Sequence, residues 1–424
     1  MMADARVVLD LIFRRERPQI LAVLIRLTGD FTAAEDALQE AFAEALRRWP
    51  QEGVPPHAGA WITTVARRRA IDVVRRARTF RRKSEALARL QAAEPASHEQ
   101  PVAVDAEADG VPRDDRLRLL FTCCHPALST ESQVALTLRM VAGLSTREIA
   151  RAFLSEEKTM AQRLTRAKEK IRGAQIPFRV PSAAELPDRL EAVLAVIYLV
   201  YNESYSATSD AALVREDLCH EAIRLARLLD QLMPAQPEVE GLLALMLLHA
   251  ARRRARVSAQ GELITLERQD RSLWDRAMIE EGCALVERAL RRGRVGPYQI
   301  QAAIAALHAQ APSPERTDWP QIAALYALLL RLQPSPVIEL NRAVAIGMAA
   351  GPAAGLALID GIDARGELRG YHLLSAARAE LLVRTGDRAR ARRYYEQAIQ
   401  ECSNPAERSF LQRRLAEQDG GSRQ

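Results

Sequence analysis

The side chains of this sequence that most plainly carry chemistry are cationic, and the chemistry they offer is polyanion binding rather than bond making. From Trp61 to Lys83 the chain reads WITTVARRRAIDVVRRARTFRRK, nine Arg or Lys against the single acid Asp72. Ile62, Val65, Ala66 and Val73 recur at helical spacing, which predicts one helix with a core-facing side. Thr64, Arg67, Arg68, Ile71, Arg75 and Arg78 then share a face able to follow a phosphate backbone, with Arg76 beside it. Asp72 is expected to pair with Arg68, Arg69, Arg75 or Arg76. A merely solvated Arg-rich helix is the plain alternative, but Arg81, Arg82 and Lys83 extend the charge with no compensating acid.

Other reactive side chains do not assemble into a set. Glu203, His220, His249 and Asp270 are the acid–base groups of the second half, and their spacing matches no catalytic arrangement, so no enzyme is expected. Cys123-Cys124-His125 offers three metal-ligating side chains, yet adjacent cysteines are poorly placed to chelate one ion and no second C-x-x-C completes a site. A buried helix end is the expected role, and neither metal nor other cofactor is expected. Five scattered cysteines argue for a reducing compartment without a disulfide framework. The first residues, MMADARVVLD, form no cationic apolar signal, and the runs Leu190 to Tyr201 and Leu242 to Ala251 are shorter than a membrane span of about 20 residues. A cytoplasmic protein with no membrane partner is expected.

Helices must position these groups. Aromatics are only 5% of the 424 residues, hydrophobic residues 48%, and no β-branched alternation persists, so the fold is expected to be all-α, in two or three domains. Residues 1–83 are periodic. From 84 to 113 the chain turns polar around Pro95, Pro101, Gly110 and Pro112, which reads as a flexible linker. Periodicity returns over 114–176, Pro177, Pro181 and Pro187 mark a second boundary, and 187–418 is helix after helix, an α-solenoid-like pattern. The net charge of +6 matters less than its distribution.

Two further helical motifs stand out. Thr32-x-x-Glu35 reads as a capping box that would start a helix at Ala33, with Leu38, Phe42 and Ala45 inward and Asp36, Gln39, Glu40 and Glu44 outward, either a solvated surface or a docking face for a basic partner. Downstream, Gly143 should end a helix over 130–141, Ser145-x-x-Glu148 should cap the next, and Ser155 a third over 156–171. In that third helix Met160, Leu164, Ala167 and Ile171 line one face and Thr159, Gln162, Arg163 and Arg166 the other. This is the layout of a helix-turn-helix, with Arg and Gln suited to base edges and Lys168 and Lys170 to phosphates.

Together these motifs resemble the extracytoplasmic-function group of bacterial sigma factors. Asp30 to Phe42 follows the pattern D-x-x-x-A-E-D-x-x-Q-E-x-F, and Ala60 to Arg76 follows A-W-x-x-x-x-A-R-x-x-x-x-D-x-x-R-R. Residues 7–83 thus resemble the −10-binding domain of that group and 114–172 its −35-binding domain. The resemblance implies that Asp36, Gln39 and Glu40 grip the clamp helices of core RNA polymerase. It implies that Arg67, Arg68, Arg75 and Arg76 engage and open promoter DNA, capturing a flipped non-template base. Arg68 stands where the group often has Asn, and Ala152-Phe153-Leu154 replaces its usual Leu-Gly turn.

The long remainder resembles a subgroup with a helical, TPR-like extension. Gly386-Asp387, Ala391, Tyr395 and Ala398 have the small and aromatic spacing of a TPR pair, and Pro334 to Asp360 reads as another. Tyr201, Asn202, Glu203 and Tyr205, with Trp274 of the DRSLWD cluster, could line a groove for a regulatory protein or small ligand, or could cap helices and pack in the core. The alternative to a sigma factor is a stand-alone helix-turn-helix regulator with a ligand- or peptide-sensing solenoid, which would bind promoter DNA without polymerase.

Overall fold

The computed structural model describes residues 5–91, 115–153, 155–205, 212–258 and 262–420. Among them all extended regular structure is helical, apart from an isolated antiparallel bridge between Val257 and Leu263. The chain folds into two compact units, Met1–Glu203 and Ser204–Gln424.

The first unit holds α1 (Ala5–Arg15), α2 (Arg17–Thr28), α3 (Phe31–Glu52), α4 (Ala58–Gln91), α5 (Asp115–Cys123), α6 (Thr130–Leu136), α7 (Thr146–Ala152), α8 (Glu157–Gly173) and α9 (Leu186–Tyr205). Helices α2, α3 and α4 pack on one another around the buried Leu21, Leu38 and Ile62, and Trp49 meets Trp61 edge-on at 5.5 Å. Helix α4 runs to Gln91, past the residue 84 at which a linker was expected to begin; the rest of that expected linker lies outside the described residues. Val73, expected in the core, is 41% exposed, because the inward stripe of α4 is carried by Ile62, Ala66 and Ala70.

Helix α6 does not continue as an α-helix to Val141 but widens into a π-helical turn, Thr137–Val141. Helix α2 packs on both α5 and this turn, so the two N-terminal helical groups share one unit. Helix α9 also falls in the first unit, with Arg189 donating to the carbonyl of Phe121, so compact packing divides the chain after Glu203 rather than near Pro177 to Pro187.

The second unit holds α10 (Ala212–Leu232), α11 (Pro237–Ala250), α12 (Arg276–Arg291), α13 (Pro297–Gln310), α14 (Trp319–Leu332), α15 (Pro336–Ala350), α16 (Pro352–Arg365), α17 (His372–Thr385), α18 (Arg388–Glu401) and α19 (Pro405–Gly420). Successive helices pack pairwise in the manner of a solenoid. Gly386, at φ 84°, ends α17, Asp387 caps α18, and Ala391, Tyr395 and Ala398 are fully buried, as the sequence spacing requires. The apolar run in α11 is core, with Leu242 to Leu248 almost wholly buried, and no helix among the described residues is long and apolar enough to cross a membrane.

Two buried histidines give this unit a pH dependence. Burial and the guanidinium of Arg252 push His249 down to about 3 and His308 down to about 4. An unfolded histidine takes its proton near pH 6.5, so below that value the unfolded chain binds more protons and stability falls toward pH 4. His308 alone should cost roughly 2 kcal/mol by about pH 5. Urea unfolding near neutrality and at about pH 5 checks this, and unchanged stability of the second unit would contradict it.

Candidate nucleic-acid interface

The basic face of α4 is built by one helix and left open. Arg67, Arg68, Arg75 and Arg76 are exposed, and their guanidinium groups enter no hydrogen bond or ion pair among the described residues. Arg69 turns to α3 instead, 3.1 Å from Glu44 and 3.4 Å from Glu40. Asp72 is exposed and makes none of its expected pairs among the described residues, and Arg69 is engaged by the two α3 acids. The side chain of Arg78 lies outside those described. Phe80, passed over in the sequence, is 74% exposed one turn beyond Arg76. An aromatic ring in a stretch of cations was the signal that marked it.

Helix α3 presents Asp36, Gln39 and Glu40 to solvent, while Leu38 and Ala45 are buried and Phe42 stacks edge-on against Phe13 at 5.5 Å. Its start differs from the expectation. The helix begins at Phe31, because Asp30 Oδ1 accepts from the backbone N–H groups of Thr32 (2.8 Å) and Ala33 (2.9 Å). The Thr32–Glu35 box therefore does not form.

Glu35 is instead a buried carboxylate, 6% exposed, that joins the two N-terminal helical groups. Arg17 lies at 3.1 Å, Lys168 at 2.8 Å and Arg139 at 3.6 Å from its oxygens. Arg17 also donates to the carbonyl of Arg139 at 2.8 Å, on the π-helical turn, where a widened helix leaves carbonyls available. Burial and the neighbouring Arg139 push the Arg17 guanidinium down to about 10, with Glu35 opposing the shift. A second bridge joins Arg172 to Asp30 at 2.6 Å.

The helix-turn-helix forms from α7 and α8. Ser145 and Glu148 make the full capping box, with the Ser145 N–H donating to Glu148 at 2.7 Å and the Glu148 N–H to Ser145 at 3.2 Å. Glu156, not Ser155, is the N-cap of α8; the Ser155 backbone N–H turns back to the Ala150 carbonyl at 2.9 Å. Met160, Leu164, Ala167 and Ile171 are buried, and Thr159, Gln162 and Arg166 are exposed on the opposite face. Arg163 and Lys168 are engaged, Arg163 with Glu131 at 3.0 Å and Lys168 with Glu35. Cys123 and Cys124 are buried, burial holds Cys124 up at about 12, and His125 Nδ1 accepts from the Ala127 N–H, so the two thiols pack in the core and His125 shapes the turn after α5.

Of the residues expected to line a groove, Tyr201, Asn202 and Glu203 fall in the first unit and Trp274 in the second. Tyr201 is buried, Asn202 exposed and Glu203 half-buried at the end of α9, and the Tyr205 side chain is not among those described. Trp274 is buried in the second unit, with the Arg271 guanidinium 4.4 Å and that of Arg252 6.0 Å from its ring, while Asp270 caps a short 3-10 turn and Asp275 caps α12. The second unit does contain a cavity of about 530 Å³, which includes Asn341, Val344 and Met348 of α15 and Phe410 of α19 in its lining.

Comparison with known proteins meets this geometry at the same places. Residues 12–80 match sigma-70 region 2, residues 118–171 match sigma-70 region 4, and residues 189–290 match a family of unknown function, DUF6596. An uncharacterized protein of Rhizobium meliloti is 46% identical over 407 residues, covering 96% of this chain and 95% of that protein. A probable ECF RNA polymerase sigma factor, SigI of Mycobacterium tuberculosis, is 30% identical over 173 residues, 40% of this chain and 57% of its own length. With regions 2 and 4 in order, each on the helices that expose its charged face, the chain belongs to the ECF-type RNA polymerase sigma factors and carries a long helical C-terminal extension.

Proposed function

We propose that this sigma factor docks on core RNA polymerase through Asp36, Gln39 and Glu40, melts the −10 element with the α4 arginines, and reads the −35 element with Thr159, Gln162 and Arg166. The observation that carries the reading is the uncompensated face of Arg67, Arg68, Arg75 and Arg76 beside an exposed acidic face on α3. Phe80 would offer a stacking surface to an unpaired base. Charge reversal at Asp36 and Glu40 should weaken binding to core polymerase in a competition assay by on the order of tenfold, while binding of isolated promoter DNA stays unchanged. Equal losses in both assays would sink this division of labour.

The same reading makes the Glu35 bridge a latch. Elements centred about 25 base pairs apart are separated by roughly 85 Å of duplex at about 3.4 Å per pair. A compact unit of about 200 residues has a radius of gyration of only roughly 16 Å. Both elements can be held at once only if α8 leaves α3, freeing Lys168 for a phosphate. The stretch between Gln91 and Asp115 is 23 residues, whose contour length of roughly 80 Å is sufficient.

The extension is proposed as a regulatory module. Its cavity falls within the size range of small-molecule sites, about 300–1,000 Å³, and its lining combines apolar side chains such as Val344, Met348 and Phe410 with a charged set that includes Arg268, Arg271, Arg384 and Glu380.

A further inference from the structure

Three helix ends in the second unit bring together side chains that the promoter role does not use. His372 is the first residue of α17, Cys402 caps the end of α18, and Glu407 lies in the first turn of α19. Their ligand atoms all lie within 4.8 Å of one another. His372 Nε2 is 3.1 Å from Glu407 Oε2, and Cys402 Sγ is 4.0 Å from the same oxygen. In a tetrahedral zinc site, ligand atoms at about 2.0–2.3 Å from the ion stand roughly 3.4–3.6 Å from each other. The three atoms thus form nearly the triangle such an ion needs.

The hydrogen bonding supports convergence on a shared point. His372 Nε2 is shut off from solvent and makes no hydrogen bond, although Glu407 is within reach, because the approach is off the line of one. An imidazole nitrogen left in this state is costly unless something else takes its lone pair. The backbone around it is fixed: Asn404 Oδ1 accepts from the N–H groups of Ala406 (2.9 Å) and Glu407 (3.3 Å), and Arg408 Nε donates to the Cys402 carbonyl at 3.1 Å. Cys402 is 1% exposed, while the Glu407 side chain is 41% exposed and leaves an entry path.

We propose that His372, Cys402 and Glu407 bind a divalent transition-metal ion, zinc by preference, with water in the fourth position. A thiolate with an imidazole and one carboxylate selects against magnesium and calcium, which take oxygen ligands. Binding replaces the Cys402 S–H bond with a sulfur–metal bond and releases that proton to solvent. The ion clamps the first turn of α19 to the start of α17, one turn before Phe410, which lines the cavity. The site is independent of the promoter role.

Cobalt(II) titration of the reduced full-length chain tests it. One ion per chain should bind with a thiolate-to-cobalt absorption band and tetrahedral d–d bands, both reversed by zinc. Cys402→Ser should abolish the thiolate band while Cys283→Ser retains it. His372→Gln and Glu407→Gln, at less buried positions, should weaken binding with the helical circular dichroism unchanged, which keeps the test valid if Cys402→Ser fails to fold. A band that survives Cys402→Ser, affinity unchanged in both Gln variants, or no stoichiometric binding by the wild type would overturn the proposal.

Discussion

Reversing Arg67 and Arg68 together to Glu is expected to reduce promoter opening by on the order of 100-fold or more while binding to core polymerase is retained. Each arginine at a nucleic-acid contact is worth about 1–3 kcal/mol, and reversal adds repulsion to the loss. Both side chains are exposed and unpaired among the described residues, so the fold is not expected to suffer. Permanganate footprinting of the −10 region measures the opening, and the salt dependence of promoter binding should become shallower because fewer counterions are released. Normal opening by the double variant would remove α4 from the melting step.

Glu35→Gln is expected to cost the first unit about 3–5 kcal/mol, since it strips the charge that compensates Arg17 at 4% side-chain exposure and Lys168 at 18%. In a unit of this size that corresponds to a fall in melting temperature of about 10 °C. Lys168→Met should cost less, because Arg17 and Arg139 still hold the carboxylate. Thermal melts of full-length variants, followed by circular dichroism, make the comparison. A Glu35→Gln change below about 1 kcal/mol would mean that the bridge is not a latch of consequence.

The helical class, the helix-turn-helix and the cationic stripe were legible because each rests on periodicity or local capping. Ser145 and Glu148 cap as their spacing demands, and Met160, Leu164, Ala167 and Ile171 turn inward. Glu35 was misread because Thr32-x-x-Glu35 satisfies a local rule that Asp30 satisfies better. The signal that could have corrected it is positional: Glu35 shares the inward stripe with Leu38 and Phe42, where a carboxylate needs buried partners. Those partners, Arg17, Arg139 and Lys168, are distant in sequence and converge only through tertiary packing. The π-helical turn was hidden for a related reason, as its residues are ordinary helix formers and its widened turn is visible only in the backbone. Trp274 and Tyr201 were drawn together by composition, yet they belong to different units.

The most direct test of the account is run-off transcription with purified bacterial core polymerase and the full-length chain on a pool of promoter fragments. Discrete transcripts are expected, and they should vanish both with Asp36 and Glu40 reversed and with Arg67 and Arg68 reversed, the first pair failing at polymerase binding and the second at opening. Tight binding of duplex promoter DNA without polymerase, and no transcripts with it, would contradict the account and identify a stand-alone regulator.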